Sequence, residues 1–416
     1  MQLKTILNRV QKHRSFVYGK VTLLHGRCPS IEVQVQARTN SRAKCSGCGK
    51  AAPGYDTLEP RRFEFVPLWG MAVFLVYTMR RVACRNCGVR VEEVPWSSGK
   101  NQLTDTYAWF LARWARRLSW KEVAEVFNTS WNKVFRAVEM AVEWGRAHQE
   151  LSDIEAIGID EIAWQRGHRY LTLVYQIDEG RRRLLWVGEH RKIKTLLRFF
   201  RWFGKERTAK LRFICSDMWK PYLRVVAKKA GNAIHVLDRF HIMSHLSKAI
   251  DKVRAGEAKE LEANGYEPVL KKTRWLLLKR PENLTEKQEP RLAELLRYNL
   301  RSVRAYLLKE DFQFFWDYVS PYWAGQFLDR WCTRTMRSRL EPMKKVARML
   351  RSHQPLLMNW FHAKGAFSSG AVEGFNTKAK LTLRKAFGFR TYRAMEIALY
   401  HTLGALPEPK STHRFC

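Results

Sequence analysis

Asp160, Asp217 and Glu373 are the residues of this chain best suited by type and setting to do chemistry. Asp160 closes an apolar, strand-like run, Ile154-Glu-Ala-Ile-Gly-Ile-Asp160, and Asp217 closes a second, Leu211-Arg-Phe-Ile-Cys-Ser-Asp217. Glu373 lies in a helix-like run that also carries Lys380 and Arg384. Carboxylates delivered by strand ends and a helix can converge on one pair of hard divalent cations, the arrangement that drives phosphoryl transfer. A single Asp after an apolar strand is more often a turn or cap residue. Two on neighbouring strands, joined by a helical Glu, are a different matter. Helical spacing puts Glu373, Thr377, Lys380 and Arg384 on one face, where the Glu can bind metal while Lys380 and Arg384 hold phosphate, and Lys378 is a further candidate for a DNA contact.

Three other acids compete for the role. Glu161 adjoins Asp160 but points the other way on an extended chain. Asp178 ends the next strand and reads as a turn residue. Asp238 and His241 follow a further strand, and serve either beside the metal ligands, on DNA, or as a helix cap.

A second chemistry lies upstream. Cys45-Ser-Gly-Cys48 and Cys84-Arg-Asn-Cys87 are each followed by glycine. A CxxC turn aims two sulfurs at one ion, and two such turns make a tetrahedral four-thiolate zinc site. The alternatives are two buried Cys pairs or a redox CxxC. A hairpin of Arg61–Pro67 with Met71–Val82 brings the two turns together. Cys28, Cys215, Cys332 and Cys416 have no such spacing.

The elements that must position these groups follow from periodicity. Residues 1–100 read as short strands and turns around the cysteines, with Ile31-Glu-Val-Gln-Val-Gln alternating as a half-buried strand does. The apolar run from Val66 to Met79 is too short for a membrane helix and reads as two strands meeting at Trp69-Gly70. Residues 101–150 read as a helix-turn-helix. Ser119-Trp-Lys-Glu122 is a capping box opening the helix Lys121–Phe127, and Asn128-Thr-Ser130 turns into a second helix, Trp131–Trp144. Trp131, Asn132, Lys133 and Arg136 face the DNA groove in that reading; an ordinary helical bundle is the alternative.

Residues 151–241 give three consecutive strands, then helix-strand-helix-strand, a mixed α/β sheet. Residues 242–365 are almost wholly helical and form an insertion, with Thr285-Glu-Lys-Gln288 as another capping box. Residues 366–404 return to the sheet as its last helices, and 405–416 form a polar tail.

Composition names the partner. Lys plus Arg is 75 against 39 acidic residues, a net charge of +36 in 416 residues. An excess this large, spread along the chain, points to nucleic acid. Sixteen Trp and fourteen Tyr lie among these cations, suited in part to stacking on bases. The start reaches Asn8-Arg9 too soon for a secretory leader. The expectation is a cytoplasmic, nucleoid-associated protein with no membrane partner.

At the acidic residues a resemblance becomes specific. Gly158-Ile-Asp160-Glu161, Ser216-Asp217-Met-Trp-Lys-Pro-Tyr222, Leu237-Asp-Arg-Phe-His241, Glu373-Gly-Phe-Asn376 with Lys378-Ala-Lys380, and Arg384-Lys-Ala-Phe-Gly-Phe-Arg390 resemble the DDE transposases of bacterial insertion sequences, within them the ISL-three family. Arg80-Arg-Val-Ala-Cys84 through Cys87 resembles that group's zinc segment. The resemblance implies an RNase H-like catalytic domain, with Asp160, Asp217 and Glu373 as catalytic acids holding Mg²⁺ or Mn²⁺. It implies a transposase that binds its element's terminal inverted repeats, cleaves, and transfers the strand to target DNA, acting as a homodimer or higher oligomer. The alternatives are a transcription regulator with an inactive catalytic domain, and a structure-specific nuclease of the same fold.

Overall fold

The computed structural model describes residues 2–26, 28–99, 101–165, 167, 169–363, 370–386 and 388–410. It is a mixed α/β chain that divides into two compact units, residues 1–150 with 382–416, and residues 151–381.

The first unit opens with a short helix, α1 (Leu3–Val10), which the sequence reading did not foresee. Five strands follow: β1 (Phe16–Leu24), β2 (Ser30–Ala37), β3 (Gly54–Leu68), β4 (Met71–Cys84) and β5 (Gly88–Val91). They form one sheet in the order β1-β2-β4-β3, with β5 also paired to β4. Only the β2–β4 pairing is parallel. β3 and β4 are far longer than the short strands expected. Their two-residue turn has positive φ at both Trp69 (54°) and Gly70 (76°), the turn whose twist matches a hairpin. The core of this sheet gathers on Trp96, which is 1% exposed and meets Phe16, Phe63 and Tyr77 edge-on.

Three helices complete the front of the chain: α2 (Asp105–Trp114), α3 (Trp120–Val126) and α4 (Trp131–Ala147). Ser119 and Glu122 make both bonds of the capping box on α3. Asn128 takes positive φ (47°) in the turn, a conformation Asn tolerates, and the Ser130 hydroxyl accepts from the Lys133 amide to start α4.

The second unit holds a sheet of β6 (Ala156–Gln165), β7 (Arg169–Asp178), β8 (Arg181–Glu189), β9 (Phe213–Ser216) and β10 (Ile234–Leu237). The order is β10-β9-β6-β7-β8. β6, β7 and β8 form an antiparallel meander, and β9 and β10 add in parallel on the other side of β6. α5 (Ile193–Phe203), α6 (Lys205–Ala209) and α7 (Lys220–Lys229) lie between these strands in sequence, with Pro221 in the first turn of α7. Ile157 and Ile159 of β6 pack with Phe199 and Phe203 of α5 and Tyr222 of α7 in one buried core.

β10 leads into α8 (Arg239–Ala263), the root of an all-helical region. That region continues through α9 (Arg274–Leu278), α10 (Glu289–Leu296), α11 (Arg301–Gln313), α12 (Pro321–Arg337), α13 (Glu341–Ser352) and α14 (Gln354–His362), around its own buried core. The expected capping box at Thr285 does not open a helix. Gln288 reaches back to the Thr285 amide, but it also accepts from Lys279, and the helix begins only at Glu289. Pro290 at the helix start explains the delay, since it suits a first turn and no later position.

α15 (Gly370–Lys385) returns to the sheet, and α16 (Tyr392–Leu403) packs against α4 within the first unit. The segment read as a polar tail is ordered at its start. Leu406 is buried against Gly145 and Glu408 pairs with Arg113 and Arg116, while residues 411–416 lie outside the described residues.

Candidate active site

Strand register builds the site. Ile159 pairs with Ser216, and Ser216 pairs with Leu237. The next residue on each chain is Asp160, Asp217 or Asp238. Three carboxylates therefore leave three adjacent parallel strands in one row. Asp160 is not at the end of its strand, as its apolar run implied; β6 continues to Gln165 against β7. It stands instead where the parallel neighbour β9 stops, which opens the sheet on that side.

β6 alternates, so its two acids face opposite ways. Gly158 and Asp160 face α15. The absence of a side chain at Gly158 is required there, because a Cβ would stand 2.4 Å from Val372 Cγ2. Phe375 of α15 stacks on Tyr175, with centroids 5.0 Å apart. Asn376 then accepts from the Tyr175 hydroxyl at 2.9 Å and donates its amide to Asp160 Oδ2. Asp160 Oδ1 accepts from the Glu161 amide at 2.7 Å. Burial raises the Asp160 pKa, and His241 opposes that rise.

Asp238 caps α8 by accepting from the Phe240 amide, and its other oxygen accepts from His241 Nδ1 at 2.8 Å. That bond holds the imidazole pKa up at about 9, which makes His241 a cation beside Asp160. Ligand atoms of Asp160, Asp238 and His241 all lie within 4.8 Å of one another, a group able to hold a metal ion.

Asp217 looks elsewhere. Its Oδ2 accepts from Arg191 at 2.7 Å, and Arg191 also lies 3.2 Å from Glu161 on the opposite face of β6 from Asp160. The guanidinium sits 4.5 Å above the Trp219 ring. Burial, and then the charge of Asp217, push Glu161 up to about 8. Glu373 is exposed in the first turn of α15, one turn before Asn376. Lys378, Lys380 and Arg384 are exposed further along that helix. Asp178 accepts from the backbone amides of Glu155 and Ala156, a structural bond far from this row.

Arg191 and Asn376 were not singled out from sequence. Arg191 lies in a basic run, with nothing local to distinguish it. Asn376 does sit inside a motif, three residues after Glu373, and that spacing was the available signal.

In the first unit, β4 and the turn into β5 bring Cys84 and Cys87 back to Cys45 and Cys48, and the four Sγ atoms lie within 4.8 Å of one another. Cys48 and Cys84 sulfurs are 3.6 Å apart, close to the roughly 3.8 Å of two thiolates on one tetrahedral ion with bonds of about 2.3 Å. Gly49 (φ 69°) and Gly88 (φ 72°) take the left-handed conformation that closes each turn, which explains the glycine after each CxxC. Backbone amides of Asn86 and Cys87 pull the Cys84 thiol down to about 7. On α4, Trp131, Asn132 and Arg136 are exposed, whereas Lys133 is half-buried and bonded to Glu64 Oε2 of β3.

Comparison with known proteins identifies the class. The chain belongs to the ISL3-type DDE family described as transposase, whose model matches residues 157–399, from β6 to α16. It is 30% identical over 414 residues to the transposase for insertion sequence element IS1557 of Mycobacterium tuberculosis, across 92% of this chain and 91% of that protein. It is 27% identical over 368 residues to the transposase for insertion sequence element IS1001 of Bordetella parapertussis, covering 88% and 89% of the two chains. The protein is therefore an enzyme that acts on DNA, and among its described residues no helix is long and apolar enough to cross a membrane.

Proposed function

We propose that this chain is an insertion-sequence transposase that binds the terminal inverted repeats of its element and catalyses metal-dependent DNA cleavage and strand transfer. The observation that carries the reading is the row of carboxylates that leave β6, β9 and β10 at one level, with a helix bearing Glu373 laid across β6. The catalytic domain is read as RNase H-like, with residues 242–365 as its insertion. Asp160, Asp217 and Glu373 are the catalytic acids. The donors offered are carboxylate oxygens, which suit Mg²⁺ or Mn²⁺. Bound there, such ions supply a polarised water or 3′-hydroxyl and offset charge on the leaving oxygen.

The chain's own side chains do the positioning. Asn376 holds one oxygen of Asp160 and fixes α15 against β7 through Tyr175. Arg191 balances Asp217 in the absence of DNA and is a phosphate-binding group once that carboxylate is engaged elsewhere. Asp238 orients His241 beside Asp160. Lys378, Lys380 and Arg384 hold backbone phosphates along α15.

The four-cysteine group is read as a structural zinc site, and α3 with α4 as a helix-turn-helix. Trp131, Asn132 and Arg136 are placed to read the terminal repeat, while Lys133 braces α4 on the β module. Target DNA is the second nucleic-acid partner, and the active complex is a homodimer or higher oligomer. The family's action on DNA supports a cytoplasmic, nucleoid-associated place of work.

The test is substitution of each acid in the full-length chain. Asp160→Asn, Asp217→Asn and Glu373→Gln are expected to keep end binding and to lose cleavage and strand transfer together, because one site serves both steps. Asp238→Asn is expected to weaken activity less. If Glu373→Gln keeps near-normal strand transfer with Mg²⁺ while Asp238→Asn abolishes it, Asp238 is the third acid, as its place beside Asp160 and His241 would then explain.

A further inference from the structure

The helical region of the second unit holds a cleft of about 1010 Å³ that the reading above leaves unused. Sites that enclose one small molecule span about 300–1,000 Å³, so this one is large enough for part of a chain. Arg239, Arg280, Arg304, Arg334 and Arg337 line it. Two of its carboxylates are already engaged, Asp311 by Arg334 and Glu310 by Lys309, which leaves Glu282 and Asp317. Among the described residues Arg239, Arg280, Arg304 and Arg337 form no ion pair, so positive charge prevails in the cleft. On the same wall Phe314 is 60% exposed and Leu307 52% exposed. Arg239 is laid over the Trp316 ring, 5.2 Å from its centroid.

Forked donors that outnumber the carboxylates near them, beside an exposed aromatic face, match a ligand that is both anionic and flat. A nucleoside phosphate has both properties. We propose that this cleft holds an unstacked nucleotide of a DNA strand, its phosphates on Arg280, Arg304 and Arg337 and its base on Phe314. A free nucleotide has the same chemistry. Two observations favour the strand: the cleft's size, and Arg239 following Asp238 directly, with Cα atoms about 3.8 Å apart. A strand lying at the carboxylate row runs on past Arg239 into the cleft. The inference rests on the reading of this chain as a strand-transfer enzyme, and its test is independent of cleavage.

The full-length chain carrying Asp160→Asn is irradiated with a single-stranded oligonucleotide containing 5-iododeoxyuridine, and the crosslinked peptides are sequenced by mass spectrometry. The expected major product is the peptide containing Phe314. Phe314→Ala should lower that yield about tenfold, the size of losing one base stack, while total DNA affinity changes less than about twofold. Arg304→Ala, at an exposed position, should lower the yield several-fold. Crosslinks confined to other peptides, or yields unchanged in both variants, would overturn the proposal. An 8-azido-ATP arm separates the two sources. Labelling of the same peptide that the oligonucleotide fails to displace would make a free nucleotide the occupant and sink the strand assignment.

Discussion

Gly158→Ala tests how α15 is seated on the catalytic sheet. The added Cβ would lie 2.4 Å from Val372 Cγ2, where ordinary contact begins at 3.4 Å, and at 3.4 Å from Ile177 Cγ2. About 1 Å must be absorbed at Val372, and β6 is clamped between β7 and β9, so α15 is the element that gives. Overpacking of this kind costs about 1–3 kcal/mol. The functional cost is larger, because α15 carries Glu373 and the Asn376 amide that holds Asp160. A displacement of about 1 Å in a catalytic constellation lowers turnover about 100-fold. Val372→Ala removes the atom that clashes, at the expense of a small cavity. The assay is a double-mutant cycle read in both urea unfolding and strand cleavage with Mg²⁺. Gly158→Ala should lose stability and activity, and adding Val372→Ala should restore a good part of both, with a coupling of about 1–2 kcal/mol. If Gly158→Ala is as stable and active as the parent, α15 does not rest on β6 as described and the placement of Glu373 falls with it.

The cysteine group should retain about one zinc per chain after exhaustive dialysis, and Cys45→Ser should lose the metal and the folding of the β module while the second unit stays folded, as read by limited proteolysis; a full-length chain that binds no zinc refutes the assignment. Buried His401 has its pKa lowered to about 3, chiefly by burial and then by Arg116. The unfolded chain takes up this proton near pH 6.5 and the folded chain only near 3, so stability present above pH 6.5 is lost as pH falls through that window, by on the order of 1–4 kcal/mol. Thermal melts from pH 7 to 4 should show a flatter decline for His401→Leu than for the parent. Affinity for any DNA should fall steeply and linearly in a log–log plot against salt, and Trp131→Ala or Arg136→Ala should reduce preference for the element's ends more than nonspecific binding; equal losses on both DNAs would mean that α4 does not read sequence.

What the sequence disclosed, and what it withheld, divides along a physical line. Local rules located the β3–β4 hairpin at Trp69-Gly70, the capping box of α3, the span Ile193–Phe203 of α5 and the alternation of strands and helices through residue 237. Each rests on neighbours within a few residues. Asp160 and Asp217 were visible for the same reason, since each follows an apolar run, and Glu373 was visible through the helical spacing it shares with Lys380 and Arg384. Their mutual geometry was not. Nothing local to Asp217 says that Arg191 holds it, and nothing local to Asp160 says that Asn376, far along the chain, bonds it. Lys133 has the spacing of a groove-facing residue, yet Glu64 of β3 draws it inward. In each case a side chain from elsewhere decided the outcome, and periodicity carries no information about such a partner.

The join between sheet and insertion has a mechanical meaning. Asp238 is the cap of α8, so one carboxylate of the row is also a point from which the helical region hangs, and Asn359 of α14, bonded to the His235 carbonyl of β10, is a second. α8 has 25 residues, about 37 Å of rigid rod. A turn of about 5° at its root would carry the far end through roughly 3 Å while moving a group 4 Å from the pivot by only about 0.3 Å. The far end of the rod can thus shift through several ångströms while Asp160 and Asp238 hardly move. The gearing also runs backwards: a displacement at the distal end large enough to be felt at Asp238 must be a large one, which makes the site deaf to small fluctuations of the arm and responsive only to its wholesale repositioning.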